Sequence, residues 1–126
     1  MNTAPTFTLG DGVVFTNIGS SGETGKSVKL QSDGKILVAG YYNGDFALLR
    51  YNSDGSLDDS FSDDGWVTTD IRSGGDEAYS VAVQADGKIL VAGDTYNDGY
   101  SFALVELNRL PAVVYCTTTQ AIYPYL

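Results

Sequence analysis

Histidine is absent from all 126 residues, and cysteine, methionine and tryptophan occur once each. Without histidine a Ser-His-Asp or Cys-His nucleophile system is excluded, and so is a His-ligated zinc site. The lone cysteine, Cys116, rules out an intrachain disulfide and leaves the redox compartment open. It has no basic neighbour to lower its pKa, so it reads as a small buried hydrophobe rather than a reactive thiol. Basic residues are scarce too, 7 against 16 acidic ones, for a formal charge of −9. That balance opposes binding to nucleic acid or insertion into an anionic membrane, both of which draw on clustered Lys and Arg. It suits solubility or cation binding. No apolar run reaches membrane-spanning length. Met1-Asn2-Thr3-Ala4-Pro5 lacks the basic and apolar regions of a signal peptide, so any export signal is expected outside this sequence.

Helical spacing of apolar residues never persists past two turns, while Val, Ile, Thr, Tyr and Phe dominate the apolar runs. The chain reads as all-β. Its organising stretch occurs twice, Gln31-Ser32-Asp33-Gly34-Lys35-Ile36-Leu37-Val38-Ala39-Gly40 and Gln84-Ala85-Asp86-Gly87-Lys88-Ile89-Leu90-Val91-Ala92-Gly93, with nine of ten positions identical at an offset of 53. An Asp-Gly turn feeding an apolar run that a glycine stops predicts hairpin turn, buried strand and sharp exit.

Around that stretch lie further matched segments. Val13–Ile18 and Trp66–Ile71 are paired strand candidates. The loops 19–25 and 72–77 lead to the alternating segments 27–31 and 80–84, each with one face to bury. After Gly40 and Gly93 come tips of unequal length, 41–45 and 94–101, where insertion is tolerated. Strands at 46–51 and 102–107 follow. One period holds four short strands, the size of a propeller blade.

Three motifs carry a resemblance: Gln-x-Asp-Gly-Lys-Ile-Leu-Val-Ala-Gly, then Phe-Ala-Leu-x-Arg-Tyr-Asn-x-Asp-Gly-Ser-Leu-Asp, then Gly-x-Val-Thr-Thr-Asp. Together they resemble the delta-sixty β-propeller repeat and, in the Gly-Lys-Ile strand ending in glycine, kelch blades. The resemblance covers residues 9–108 and implies a blade from a large bacterial secreted or surface protein. The second repeat departs from it at Glu106 and Leu107, where the family has Arg-Tyr. The expected organisation is a lead-in at 1–12, one blade at 13–65, a second at 66–108, and an atypical tail at 109–126. That tail carries no charge after Arg109. It reads either as an added cap strand or as foreign sequence.

Closed propellers need about four to eight blades, and this chain encodes two four-stranded ones. Alone they would expose two apolar faces, so a head-to-tail ring of copies is expected, a trimer first and a dimer second. Val13–Ile18, with no preceding blade in the chain, is expected to complete the last blade of a neighbour by strand exchange.

Candidate chemistry is thin. Ser32-x-x-Lys35 has the spacing of penicillin-binding enzymes but sits on a turn, and its repeat has Ala85 in place of the serine. Asn52, Asp54, Ser56 and Asp58 place oxygens at alternate positions around Gly55, as calcium loops do, with Asp59, Asp63 and Asp64 nearby. The plainer reading is a turn whose Asp58 bonds local backbone. Loop acids Asp45, Asp76, Glu77, Asp94 and Asp98 suit an acid/base pair of a small esterase- or glycosidase-like hydrolase only if two of them meet. Tyr41, Tyr42, Tyr96 and Tyr100 in the tips suit recognition of carbohydrate or protein, or equally packing against a neighbouring blade. The preferred expectation is a non-catalytic binding or structural module without a cofactor, with a hydrolase and a calcium-stabilised repeat as alternatives.

Overall fold

The computed structural model describes residues 12–62 and 64–107, together with the backbone of two further strands at 112–116 and 121–125. The described residues contain no helix. Their first sheet runs in the order β1 (Glu23–Leu30), β2 (Ile36–Tyr42), β3 (Asp45–Tyr51), β4 (Trp66–Thr69). The second contains β5 (Asp76–Val83), β6 (Ile89–Tyr96), β7 (Tyr100–Leu107), β8 (Ala112–Cys116) and β9 (Ala121–Tyr125), also in chain order. Every pairing is antiparallel.

The Asp-Gly signals form the same turn in both repeats. Gln31 N–H donates to the Lys35 carbonyl and Gly34 N–H to Gln31, while Gln84, Lys88 and Gly87 repeat the pattern. Gly34 and Gly87 both sit at φ +88°, the left-handed position that closes a three-residue hairpin. Asp33 and Asp86 accept from the Lys35 and Lys88 amides at 3.0 and 3.1 Å, the Asx bond that favours aspartate there.

Gly40 and Gly93 do not stop their strands, which continue to Tyr42 and Tyr96. Their smallness serves a close backbone approach instead. A Cβ on Gly40 would collide with the Thr24 carbonyl, and one on Gly93 with the Glu77 carbonyl. Both lie where β1 and β5 shift register, between Gly25 and Ser27 and between Ala78 and Ser80, so a bulge presses the neighbouring strand inward.

Val13–Ile18 forms no strand, and the edge of β7 that strand exchange would require is taken by β8. Residues 66–69, expected to open the second blade, pair with β3 and complete the first sheet. The second sheet gains two strands from the tail, making it five-stranded rather than four. Residues 1–11, Asp63 and the side chains of the tail, including Cys116, lie outside the described residues.

The two sheets pack face to face, β5 lying against β1, β2 and β3. The first contributes Leu37, Ala39, Phe46 and Leu48 to the core, and the second Val81, Ile89, Val91, Ala103, Val105 and Leu107. These faces are not equivalent in the repeat. Leu37, Ala39, Phe46 and Leu48 correspond to Leu90, Ala92, Phe102 and Leu104, which lie on the far side of the second sheet. Phe46 is 3% exposed and Phe102 76%. A sandwich of like faces would bury both. Here each sheet covers the next by the opposite face.

Candidate functional site

The sheet tips that carry the expected binding residues share one rim. Asn43 and Gly44, at φ +53° and +84°, form the two-residue turn between Tyr42 and Asp45, the mirror-image geometry that Asn-Gly favours. Asn97, Asp98 and Gly99 form the turn between Tyr96 and Tyr100. The strands reach these turns, so Tyr41, Tyr42, Asp45, Asp94, Tyr96 and Tyr100 are strand-end residues rather than loop residues. The pairings Tyr42↔Asp45, Asp76↔Thr95 and Glu77↔Asp94 fix their positions.

Three carboxylates meet where the rims join. Asp45, Asp70 and Asp76 bring oxygens within 4.8 Å of one another. The Asp76 amide donates to the Gly44 carbonyl at 2.7 Å and ties the second sheet to the first turn. Asp76 itself is fully buried. Its carboxylate accepts from Thr95 Oγ1, from Ile71 N–H at 2.8 Å and from Arg72 N–H at 3.4 Å. Burial pushes its carboxyl pKa up, with Asp70 adding to the rise, and the three hydrogen bonds only partly offset this. Asp45 is also raised, first by desolvation and then by Asp70 and Asp76.

The first repeat builds the same cap with a longer acid. Ile18 and Gly19 amides donate to Glu23 Oε1 at 2.7 and 3.1 Å, as Ile71 and Arg72 donate to Asp76. Ile18 and Gly19 thus precede β1 as Ile71 and Arg72 precede β5.

The tyrosines divide into separate groups. Tyr42 meets Trp66 edge-on at 6.1 Å, and Tyr96 meets Tyr100 at 5.0 Å. The Lys26 ammonium lies 6.0 Å from the Tyr41 ring and 5.6 Å from that of Tyr79. Tyr79 donates to Glu77 at 2.8 Å, and that bond raises its pKa to about 12.

The Asn52–Asp58 turn brings its oxygens to a cation of the protein itself. Lys35 Nζ lies 2.9 Å from Asn52 Oδ1 and 3.1 Å from Asp58 Oδ2, and Arg50 Nε lies 2.7 Å from the same Asp58 oxygen. Asp54 accepts from the Ser56 amide and hydroxyl at 2.9 and 2.6 Å. Those bonds hold Asp54 below the usual carboxylate range. Burial would raise Asp58, but hydrogen bonds from Ser60, Lys35 and Arg50 outweigh it and hold its pKa far below the usual range. Lys35 is therefore committed to Asn52 and Asp58, in a geometry unlike a Ser-Lys catalytic pair.

In the second repeat Lys88 instead faces Glu106 Oε1 at 3.6 Å. Glu106 stands at the repeat position of Arg50. The acidic turn is missing there, so the arginine is replaced by the acid that Lys88 then needs. Sequence reasoning missed Asp70, Thr95 and the Lys35–Arg50–Asp58 cluster. The Lys/Arg to Lys/Glu exchange between repeats was its readable trace.

Residues 31–61 and 84–109 match a family model described as a domain of unknown function (DUF5122) β-propeller. Neither the curated proteins nor the solved structures compared with the chain gave a match. Both matched segments begin at the Gln-x-Asp-Gly turn and run through the paired strands β2–β3 and β6–β7, so the repeated unit of this chain is similar to a β-propeller repeat.

Proposed function

We propose that the chain is a non-catalytic module of the delta-sixty type, two blades of a propeller that further copies complete as a closed ring. In a larger bacterial secreted or surface protein it would serve a structural role, or bind carbohydrate or protein at its tips. The observation that supports this is the non-equivalence of the packed faces. Leu37, Ala39, Phe46 and Leu48 are covered by the second sheet, while their counterparts Leu90, Ala92, Phe102 and Leu104 face outward. A unit whose two sides complement each other propagates head to tail until rotation closes it. Two copies supply four blades, three supply six and four supply eight, and the trimer is the preferred assembly. Negative-stain class averages of the purified chain are expected to show a closed disc, and averages of isolated small particles would reject the ring. A panel of chromogenic esters and glycosides is expected to give no turnover, and saturable hydrolysis would favour the hydrolase.

A second reading, a calcium-stabilised repeat, is favoured by the approach of Asp45, Asp70 and Asp76 within 4.8 Å. A hard cation would relieve the repulsion among these oxygens. Millimolar calcium would then raise the melting temperature, and an unchanged melting curve would remove this reading.

A further inference from the structure

We propose that Asn43 is a site of self-modification, at which the Gly44 backbone nitrogen attacks the Asn43 side-chain amide and the product leaves the clasp between the two sheets open. The inference concerns one chain and needs no second copy.

Of the six asparagines in the sequence only Asn43 precedes glycine, and a residue without Cβ leaves its own nitrogen unhindered. Asn43 is exposed, and a Cβ built on Gly44 would meet nothing. Among the described residues neither the Asn43 side chain nor the Gly44 N–H has a hydrogen-bond partner. Other asparagines are held. Asn17 Oδ1 accepts from the Gly19 amide at 2.9 Å, and Asn52 is tied to Lys35 at 2.9 Å and to Ser56 at 3.1 Å.

In the reaction the Gly44 nitrogen bonds to Asn43 Cγ and gives up its proton, the Cγ–Nδ2 bond breaks, and ammonia leaves. Water then opens the cyclic imide. Opening at Cγ yields aspartate. Opening at the main-chain carbonyl yields isoaspartate, whose backbone runs through the side chain and is one carbon longer.

The fold governs when this happens. The left-handed conformation of Asn43, at φ +53°, holds the next nitrogen away from its side chain, so attack waits for the turn peptide to rotate. Two hydrogen bonds oppose that rotation. The Gly44 carbonyl accepts from the Asp76 amide at 2.7 Å, across the two sheets, and the Asn43 amide donates to the Gly22 carbonyl at 3.3 Å. The longer backbone of isoaspartate displaces Gly44, so its carbonyl no longer meets Asp76. A transient opening of the rim thereby becomes permanent.

Peptide mapping of the full chain incubated at neutral pH tests the proposal. The peptide holding Asn43 is expected to gain the mass of NH2 exchanged for OH before any peptide holding another asparagine. The folded chain is expected to react about 3- to 10-fold more slowly than the chain in urea, the protection that one hydrogen bond supplies. The isoaspartate fraction is expected to melt about 2–6 °C below Asn43→Asp. That variant carries the same new charge on a backbone of unchanged length, and Asp-Gly suits the same turn. Earlier modification elsewhere, or equal rates in the folded and unfolded chains, overturns the assignment. So does an isoaspartate fraction that melts together with Asn43→Asp.

Discussion

Replacing Asp58 by alanine probes how the acidic turn holds the first sheet. The Asp58 side chain is only 4% exposed, and it faces Arg50 Nε at 2.7 Å and Lys35 Nζ at 3.1 Å. It also accepts from the Ser60 amide at 3.1 Å and from the Ser60 hydroxyl. Hydrogen bonds to a charged partner contribute about 1.5–3 kcal/mol each, and breaking a buried ion pair costs about 3–5 kcal/mol. Lys35 and Arg50 keep 29% and 20% of their surface in water and can rehydrate. That relief brings the expected loss to about 2–3 kcal/mol. For a chain of this length it lowers the melting temperature by about 8–12 °C. Its pH dependence has a definite sign. A carboxyl whose folded pKa is depressed contributes stability above its unfolded value near 4 and loses it as pH falls toward the folded value. Urea unfolding of parent and variant should therefore differ most at neutral pH, begin to converge below about pH 4 and meet only as pH approaches the far lower folded value. Glu106→Gln is the matched control. Its 3.6 Å pair with Lys88 is partly exposed, so the change should cost under about 0.5 kcal/mol. An Asp58→Ala loss below about 1 kcal/mol, or a gap that persists unchanged in acid, would show that Asp58 does not hold the first sheet through its two cations.

Asp45→Asn is expected to stabilise the fold by about 0.5 kcal/mol at neutral pH, a figure discounted for solvent screening. The folded pKa of Asp45 is raised, so its stabilising contribution lies at low pH and fades as the carboxyl ionises; calorimetry should find the variant's advantage gone below about pH 4. Gly93→Ala would drive a Cβ onto the Glu77 carbonyl, whereas Gly75→Ala meets nothing. Thermal denaturation should register a loss above about 2 kcal/mol for the first and a change within about 0.5 kcal/mol for the second. Phe46→Ala should cost about 3–5 kcal/mol in unfolding of the single subunit. Phe102→Ala, at the same repeat position but exposed, should cost less than about 1 kcal/mol there.

Local chemistry made much of the fold legible. The Asp-Gly hairpins, the Ile-Leu-Val-Ala runs and the four-strand period follow from turn residues and β-branched runs that act within a few positions. The role of Gly40 and Gly93 was not legible, because a glycine that admits a neighbouring backbone looks the same in sequence as one that ends a strand. Val13–Ile18 has the composition of a strand, yet the strand partner its repeat mate Trp66–Ile71 finds in β3 has no counterpart before it in this chain. The Asn52–Asp58 turn has the alternation of a calcium loop, but Lys35 lies seventeen residues away, and only the sheet register delivers its ammonium there. Asp70 escaped notice for the same reason: its approach to Asp45 and Asp76 is set by how the sheets pack.

Native mass spectrometry of the chain decides whether copies close into a ring, since it counts subunits and retained ions at once. A chain whose opposite sides complement each other should appear at a small whole multiple of its 13.4 kDa mass, with three copies preferred. A spectrum holding only the 13.4 kDa species at micromolar concentration would contradict it.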